Sequence, residues 1–207
     1  MVKAKLFILT GPSGAGKSTI ADEIIKKEKN LTKVITCTTR PIRDGEKDGV
    51  DYKFFTKEEF EKFIRKDMLL ERAMVYDNYY GSLRDDVEKI MESGKSVLFV
   101  VDVQGAMTIK AKFRGAVDIF IKTPDVAVLR ERLEKRKKDS KEVIAQRVQS
   151  AKDELALESE FSYVVVNDDL KTAIAEARKI IDSAINKWRY FLHFFSSKLI
   201  FLKSFSA

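Results

Sequence analysis

Gly11-Pro12-Ser13-Gly14-Ala15-Gly16-Lys17-Ser18 is the stretch whose residue types and spacing specify a chemistry. It satisfies G-x-x-x-x-G-K-[ST] and lies between the apolar run at residues 6–9 and a helix-prone segment at 19–29. Glycines let the backbone approach a polyphosphate and aim successive N–H groups at it, and a helix N-terminus adds partial positive charge. Lys17 would then reach the outer phosphates, and the Ser18 hydroxyl would ligate Mg²⁺. Glycine-rich turns also serve as plain strand-to-helix connections. With lysine and hydroxyl both in place, the favoured reading is a nucleoside triphosphate site.

The elements around that stretch must position it. Strand-like and helix-like runs alternate along the chain, which predicts a mainly parallel sheet with helices on both faces. Strands are expected at 5–10, 34–38, 51–55, 69–75, 79–81, 97–101, 117–122 and 163–166. Helices are expected at 19–29, 83–92, 104–113, 126–135, 150–159 and 170–188, with a further helix behind Thr56. Thr56-Lys57-Glu58-Glu59 has capping-box spacing, with Phe60, Phe63 and Ile64 behind it. Asp77-Asn78 reads as a turn, and Ser82 as the cap of the helix that follows. Asp102 ends an apolar strand, where open α/β sheets place their ligands.

The chain has 207 residues, enough for one α/β domain with small insertions. Its 44% hydrophobic fraction supplies a core, and its 34% charged fraction a solvated surface. The net charge of +7 suits polyphosphate ligands. Acids interleave the basic residues nearly throughout, so nucleotide substrates are favoured over polymeric nucleic acid. Cys37 is the only cysteine, which excludes an intrachain disulfide. Nothing like a secretory leader precedes the first strand, so a reducing, cytoplasmic setting is expected. Arginines at 130, 132, 136 and 147 recur in a charged run that suits a mobile basic lid.

Further motifs carry a family resemblance. They are Thr38-Thr39-Arg40-Pro41-x-Arg43-x-Gly45-Glu46, Asp51-Tyr52-x-Phe54, Glu71, Asn78-Tyr79-Tyr80-Gly81, Asp102-Val103-Gln104-Gly105 and Val166-Asn167-Asp168-Asp169. Together, in this order, they resemble guanylate kinase, a P-loop nucleoside monophosphate kinase, from about residue 5 to about 187. The resemblance implies a P-loop core (1–34, 86–126 and 158–187), an inserted GMP-binding subdomain at 35–85, and a helical lid at 127–157. It also implies phosphate transfer from ATP to GMP, and to dGMP, with Mg²⁺.

Site residues follow from the same resemblance. Arg40, Arg43, Tyr52 and Tyr80 would clamp the GMP phosphate, and planar guanidinium forks suit that chemistry. Glu71, with Ser82, Thr36 and Asp102, would read guanine. A carboxylate accepts from guanine's ring N–H and amino group, whereas adenine would oppose it with a lone pair. Gly11 to Ser18, with Arg132 and Asn167, would bind ATP. Lys17, Arg136 and Arg147 would stabilise the transferring group, and Ser18 would hold Mg²⁺, with Asp102 acting through water.

Two departures accompany the match. Val100 stands where many relatives have aspartate, and Lys137 follows Arg136 where they have glycine. The last 20 residues, 188–207, form an aromatic-rich tail, read first as a helix extension or a poorly ordered end. An interfacial membrane anchor and an oligomer contact are the lesser readings of that tail. Monomer and homodimer both stay open. Two other functions also stay open: a catalytically silent binding module of the same fold, and a P-loop kinase for a different phosphorylated acceptor.

Overall fold

A computed structural model describes residues 4–136 and 140–203, with side chains as far as Asn186. Lys137 and residues 204–207 lie outside the described residues, as do the side chains of the aromatic tail from residue 187 onward.

The core is a five-stranded parallel sheet: β1 (Leu6–Thr10), β2 (Leu31–Lys33), β7 (Ser96–Val100), β8 (Val117–Lys122) and β9 (Tyr163–Val166). Its strand order is β2-β7-β1-β8-β9, which puts β1 at the centre. Strands buried on both faces read as continuous apolar runs, and side chains alternate between the faces. Phe7 and Leu9 accordingly join Leu98, Ile119 and Ile121 on one face, beneath α1 (Lys17–Lys27) and α7 (Leu170–Lys203). Ile8 joins Val97, Phe99 and Phe120 on the other, with α3 (Arg84–Glu92) and α4 (Val103–Lys112). Burying each such side chain is worth roughly 1.5–3 kcal/mol, so the central strand is strongly held.

A second, four-stranded sheet is built from β3 (Cys37–Thr38), β4 (Lys53–Phe54), β5 (Leu69–Val75) and β6 (Asn78–Leu83), in the order β4-β3-β6-β5. Helix α2 (Lys57–Arg65) covers it through Phe60, and the expected Thr56–Glu59 capping box is formed in both directions. Cys37 is buried there, and burial pushes its thiol up to about 12, as befits a packing residue. The third part is a helical hairpin, α5 (Val126–Lys135) and α6 (Lys141–Leu155). It has its own small core of Leu129, Leu133, Ile144, Val148 and Ala151.

Several expectations shift. The first helix begins at Lys17 rather than at 19, so Lys17 and Ser18 lie in its first turn. Leu31–Lys33 forms a strand that the polar Thr32 and Lys33 disguised. Tyr76 and Asp77, at φ 48 and 61, make the hairpin turn one residue earlier than Asp77-Asn78. Ser82 does not cap a helix: it lies inside β6, and the helix starts at Arg84 with Leu83 as a cap lacking a side-chain bond. The 150–159 segment is corrected to Lys141–Leu155, capped by Ser140. The final helix continues past 188 to Lys203. Among the described residues no helix is long and apolar enough to cross a membrane.

Candidate active site

The glycine-rich loop leaves the C-terminal end of the central strand and enters α1. Gly11, Gly14 and Gly16 all have positive φ. Space decides two of these positions. A Cβ on Gly11 would stand 2.0 Å from the Ile121 carbonyl oxygen, and one on Gly16 would stand 2.3 Å from Asn167 Nδ2. Lys17 folds back over the loop and donates from Nζ to the carbonyls of Gly11 (2.5 Å) and Pro12 (3.0 Å). Burial lowers the Lys17 pKa, while the carboxylates of Glu154 and Asp102 oppose that shift. Ser18 is exposed beside it.

Four contacts tie the loop to its surroundings. Asn167 is 2% exposed, and its Nδ2 donates to the Ala15 carbonyl at 2.7 Å. Arg132 donates to the Asn167 carbonyl at 2.8 Å and more weakly to that of Asp168 at 3.3 Å. Gly14 lies against Leu129 and Leu133 of α5. Arg147 donates to Ser13 Oγ at 2.9 Å. Both hairpin helices therefore bear on the loop. Arg132 and Asn167 brace the loop, and Asn167 Oδ1 is buried without a hydrogen-bond partner. Arg136 ends α5 and is near enough to Lys17 to lower its pKa further.

Arg40 and Arg43, from the loop after β3, come together with Tyr52, just before β4, and Tyr80 on β6. The Arg40 guanidinium lies 5.4 Å from the Tyr52 ring centroid and 5.7 Å from that of Phe54. Tyr52 and Tyr80 meet edge to face at 6.1 Å. Burial raises the Tyr52 pKa, with Arg40 and Arg43 close enough to pull it back. Glu46 holds the group: its carboxylate accepts two bonds from Arg40 Nη2 (2.8 and 3.0 Å) and one from the Arg43 amide (2.9 Å). An entering phosphate would meet one arginine already aligned by a carboxylate.

Glu71 is 4% exposed on β5, and Ser82 Oγ donates to its Oε1 at 2.8 Å across the hairpin. Burial pushes the Glu71 carboxyl up to about 7; nearby Asp102 adds to the shift, and Ser82 and Lys112 oppose it. Asp102 caps α4, with Oδ1 accepting from the Gly105 amide at 2.8 Å. Thr36 is buried just before β3. Val100 packs against the apolar cluster that includes Ala15 and Ile20, so it contributes core rather than charge.

Glu154 was not legible as a site residue. It follows Arg147 by seven positions, which puts both on one stripe of α6. Its Oε2 is buried without a hydrogen-bond partner, and burial raises its pKa against the pull of Lys17. Helical spacing from Arg147 was the only sequence signal for it.

A sequence model of the guanylate kinase family matches residues 3–184. A guanylate kinase of Caldanaerobacter subterraneus is 46% identical over 176 residues, covering 85% of each chain. One of Rickettsia bellii is 42% identical, covering 86% of this chain and 94% of its own. One of Thermotoga maritima is also 42% identical, with 88% of both chains covered. The crystal structure of guanylate kinase from Anaplasma phagocytophilum superposes with a TM-score of 0.74 at 31% identity, over 88% of this chain and 86% of that one.

Proposed function

The chain belongs to the guanylate kinase family, and from that premise we propose how it phosphorylates GMP at the expense of ATP. Asp102 is the observation that carries the reading. Its charge acts on Lys17, at the glycine-rich cradle, and also on Glu71, on the second sheet. One carboxylate at the end of β7 thus adjoins a cation suited to phosphate and an acid suited to a purine edge. A head-to-head pair of nucleotides needs that adjacency.

ATP phosphates lie in the cradle of 11–18, where amides and Lys17 offset their charge. GMP enters against the second sheet, with its phosphate held by Arg40, Arg43, Tyr52 and Tyr80 and its base read by Glu71 with Ser82, Thr36 and Asp102. The GMP phosphate is an adequate nucleophile at neutral pH, so these residues orient and neutralise rather than remove a proton. Arg136 and Arg147 close from α5–α6 and exclude water.

The residues present fit Mg²⁺, a hard cation held mainly by phosphate oxygens and water with one or two protein oxygens. Ser18 is exposed in the first turn of α1, and Asp102 is fixed by its bond to Gly105. When bound, the ion neutralises the β and γ phosphates. A cytoplasmic setting accompanies this reading, with ATP and GMP as partners.

A coupled assay of ADP release with GMP, dGMP, AMP, UMP and ribose 5-phosphate as acceptors tests the assignment. Turnover with the two guanine nucleotides, at least roughly 10⁴-fold better than with AMP, is expected from a site built on hydrogen-bond pairing. A folded protein inert toward GMP would favour a binding module instead.

A further inference from the structure

Tyr76 is used by none of the roles above. It opens the two-residue turn between β5 and β6, with Val75 and Asn78 paired across the ladder on either side. Consecutive positive φ at Tyr76 (48) and Asp77 (61) makes the mirror-image turn that asparagine and glycine ordinarily supply. A bulky aromatic in that conformation is strained. The turn is kept, with Asn78 Nδ2 donating to the Tyr76 carbonyl at 2.8 Å.

That side chain meets an arginine of α6. The Arg147 guanidinium carbon stands 5.5 Å from the Tyr76 ring centroid, while one of its nitrogens donates to Ser13 Oγ at 2.9 Å. Arg147 therefore touches both the glycine-rich loop and the hairpin tip. The same hairpin carries Glu71 and Ser82. A cation over an aromatic face is attracted by the ring quadrupole, and arginine also stacks there through its planar group.

We infer that Tyr76 is a positioning residue for phosphoryl transfer. Its ring holds the Arg147 guanidinium above the transfer site and couples that arginine to closure of the hairpin over GMP. This rests on the function proposed above. A glycine at position 76 would relax the turn, so a role confined to the fold predicts that its removal does no harm. A positioning role predicts that turnover falls while stability does not.

The test uses the full chain with Tyr76→Gly, Tyr76→Phe, Arg147→Ala and the Tyr76→Gly/Arg147→Ala double variant. Tyr76 is 38% exposed, so Tyr76→Gly is expected to lower kcat roughly 2- to 5-fold, the span of a cation–π contact at an exposed ring. Its KM for GMP and for ATP should change less than kcat, since the ring itself meets Arg147 and not a group assigned to base or phosphate binding. Its thermal midpoint should be equal to or above that of the wild type. Tyr76→Phe keeps the aromatic face and should hold kcat within about twofold. In the Arg147→Ala background, Tyr76→Gly should have almost no further effect, because the partner is gone.

Unchanged kcat in Tyr76→Gly, an equal loss in Tyr76→Phe, a fall in thermal midpoint matching the loss of rate, or full additivity with Arg147→Ala each overturns the inference. A wild-type chain without GMP turnover fails the function itself. Active wild type with indifferent Tyr76 variants fails only this step.

Discussion

A Cβ added to Gly105 would stand 2.9 Å from Glu71 Oε2. The missing side chain in the first turn of α4 is the space in which the buried carboxylate sits. The Gly105 amide meanwhile donates to Asp102. One glycine thus seats two of the acids assigned to guanine recognition.

Gly105→Ala should displace the Glu71 carboxylate and weaken guanine recognition. KM for GMP is expected to rise roughly tenfold, since losing a charge-assisted hydrogen bond is worth about 1.5–3 kcal/mol. KM for ATP should be nearly unchanged. Steady-state kinetics with each nucleotide varied checks this, and an equal rise in both would point to general disruption of α4.

Glu71→Gln should alter the pH dependence of both stability and binding. The Glu71 carboxyl titrates near 7 when folded, against 4.5 ordinarily. The folded, empty protein therefore binds a proton that the unfolded chain releases between those values. Stability from this group is full below 4.5 and is lost as pH rises through 7, on the order of 3 kcal/mol in all. Chemical denaturation of Glu71→Gln from pH 4.5 to 8 should lack that decline. The proposed guanine contact uses the ionised acid, so the wild-type KM for GMP should fall as pH rises toward neutrality. Titration of the GMP phosphate remains in both proteins, and the part lost in Glu71→Gln belongs to the carboxyl.

Asn167→Ala should loosen the cradle rather than merely remove a contact to ATP. It leaves the Ala15 carbonyl without its 2.7 Å donor at a nearly solvent-free position. An unsatisfied buried acceptor costs roughly 1–3 kcal/mol. The thermal midpoint of the nucleotide-free protein should fall by about 2–4 °C for each kcal/mol lost. A rise in KM for ATP with an unchanged midpoint would contradict the brace.

Lys17→Met should abolish most turnover and leave the fold intact. Removing one preorganised electrostatic group typically costs about 10²–10³ in kcat. The far-ultraviolet circular dichroism spectrum should match the wild type. Near-normal turnover would remove Lys17 from the chemistry.

The local signals were strong where chemistry and backbone impose the same demand. The glycine-rich loop needed positive φ at Gly11, Gly14 and Gly16, and its residues announced that. The capping box at Thr56–Glu59 was legible because both partners are four residues apart at most. Apolar runs marked β7 and β8 because a strand covered on both faces has no polar side to disguise it. Leu31–Lys33 failed that test: it pairs only with β7, at the sheet's edge, and shows two polar residues in three.

Ser82 departs from the expected helix cap for a physical reason. A serine before a helix is ordinarily its cap, but pairing across the hairpin turns this hydroxyl toward Glu71. Glu154, Tyr76 and the brace formed by Asn167 are of the same kind. The groups they meet lie far away along the chain, and local spacing does not show which groups those are.

Sequence alone determined the donor cradle, the alternating architecture and the family, because motif spacing and apolar periodicity are short-range properties of the chain. Tertiary structure decided which groups confront one another: Gly105 with Glu71, Arg147 with Tyr76, Asn167 with Ala15. The physical reason is that burial and distance set charge state and orientation. A glutamate becomes an acid titrating near 7 only once the fold has withdrawn it from water.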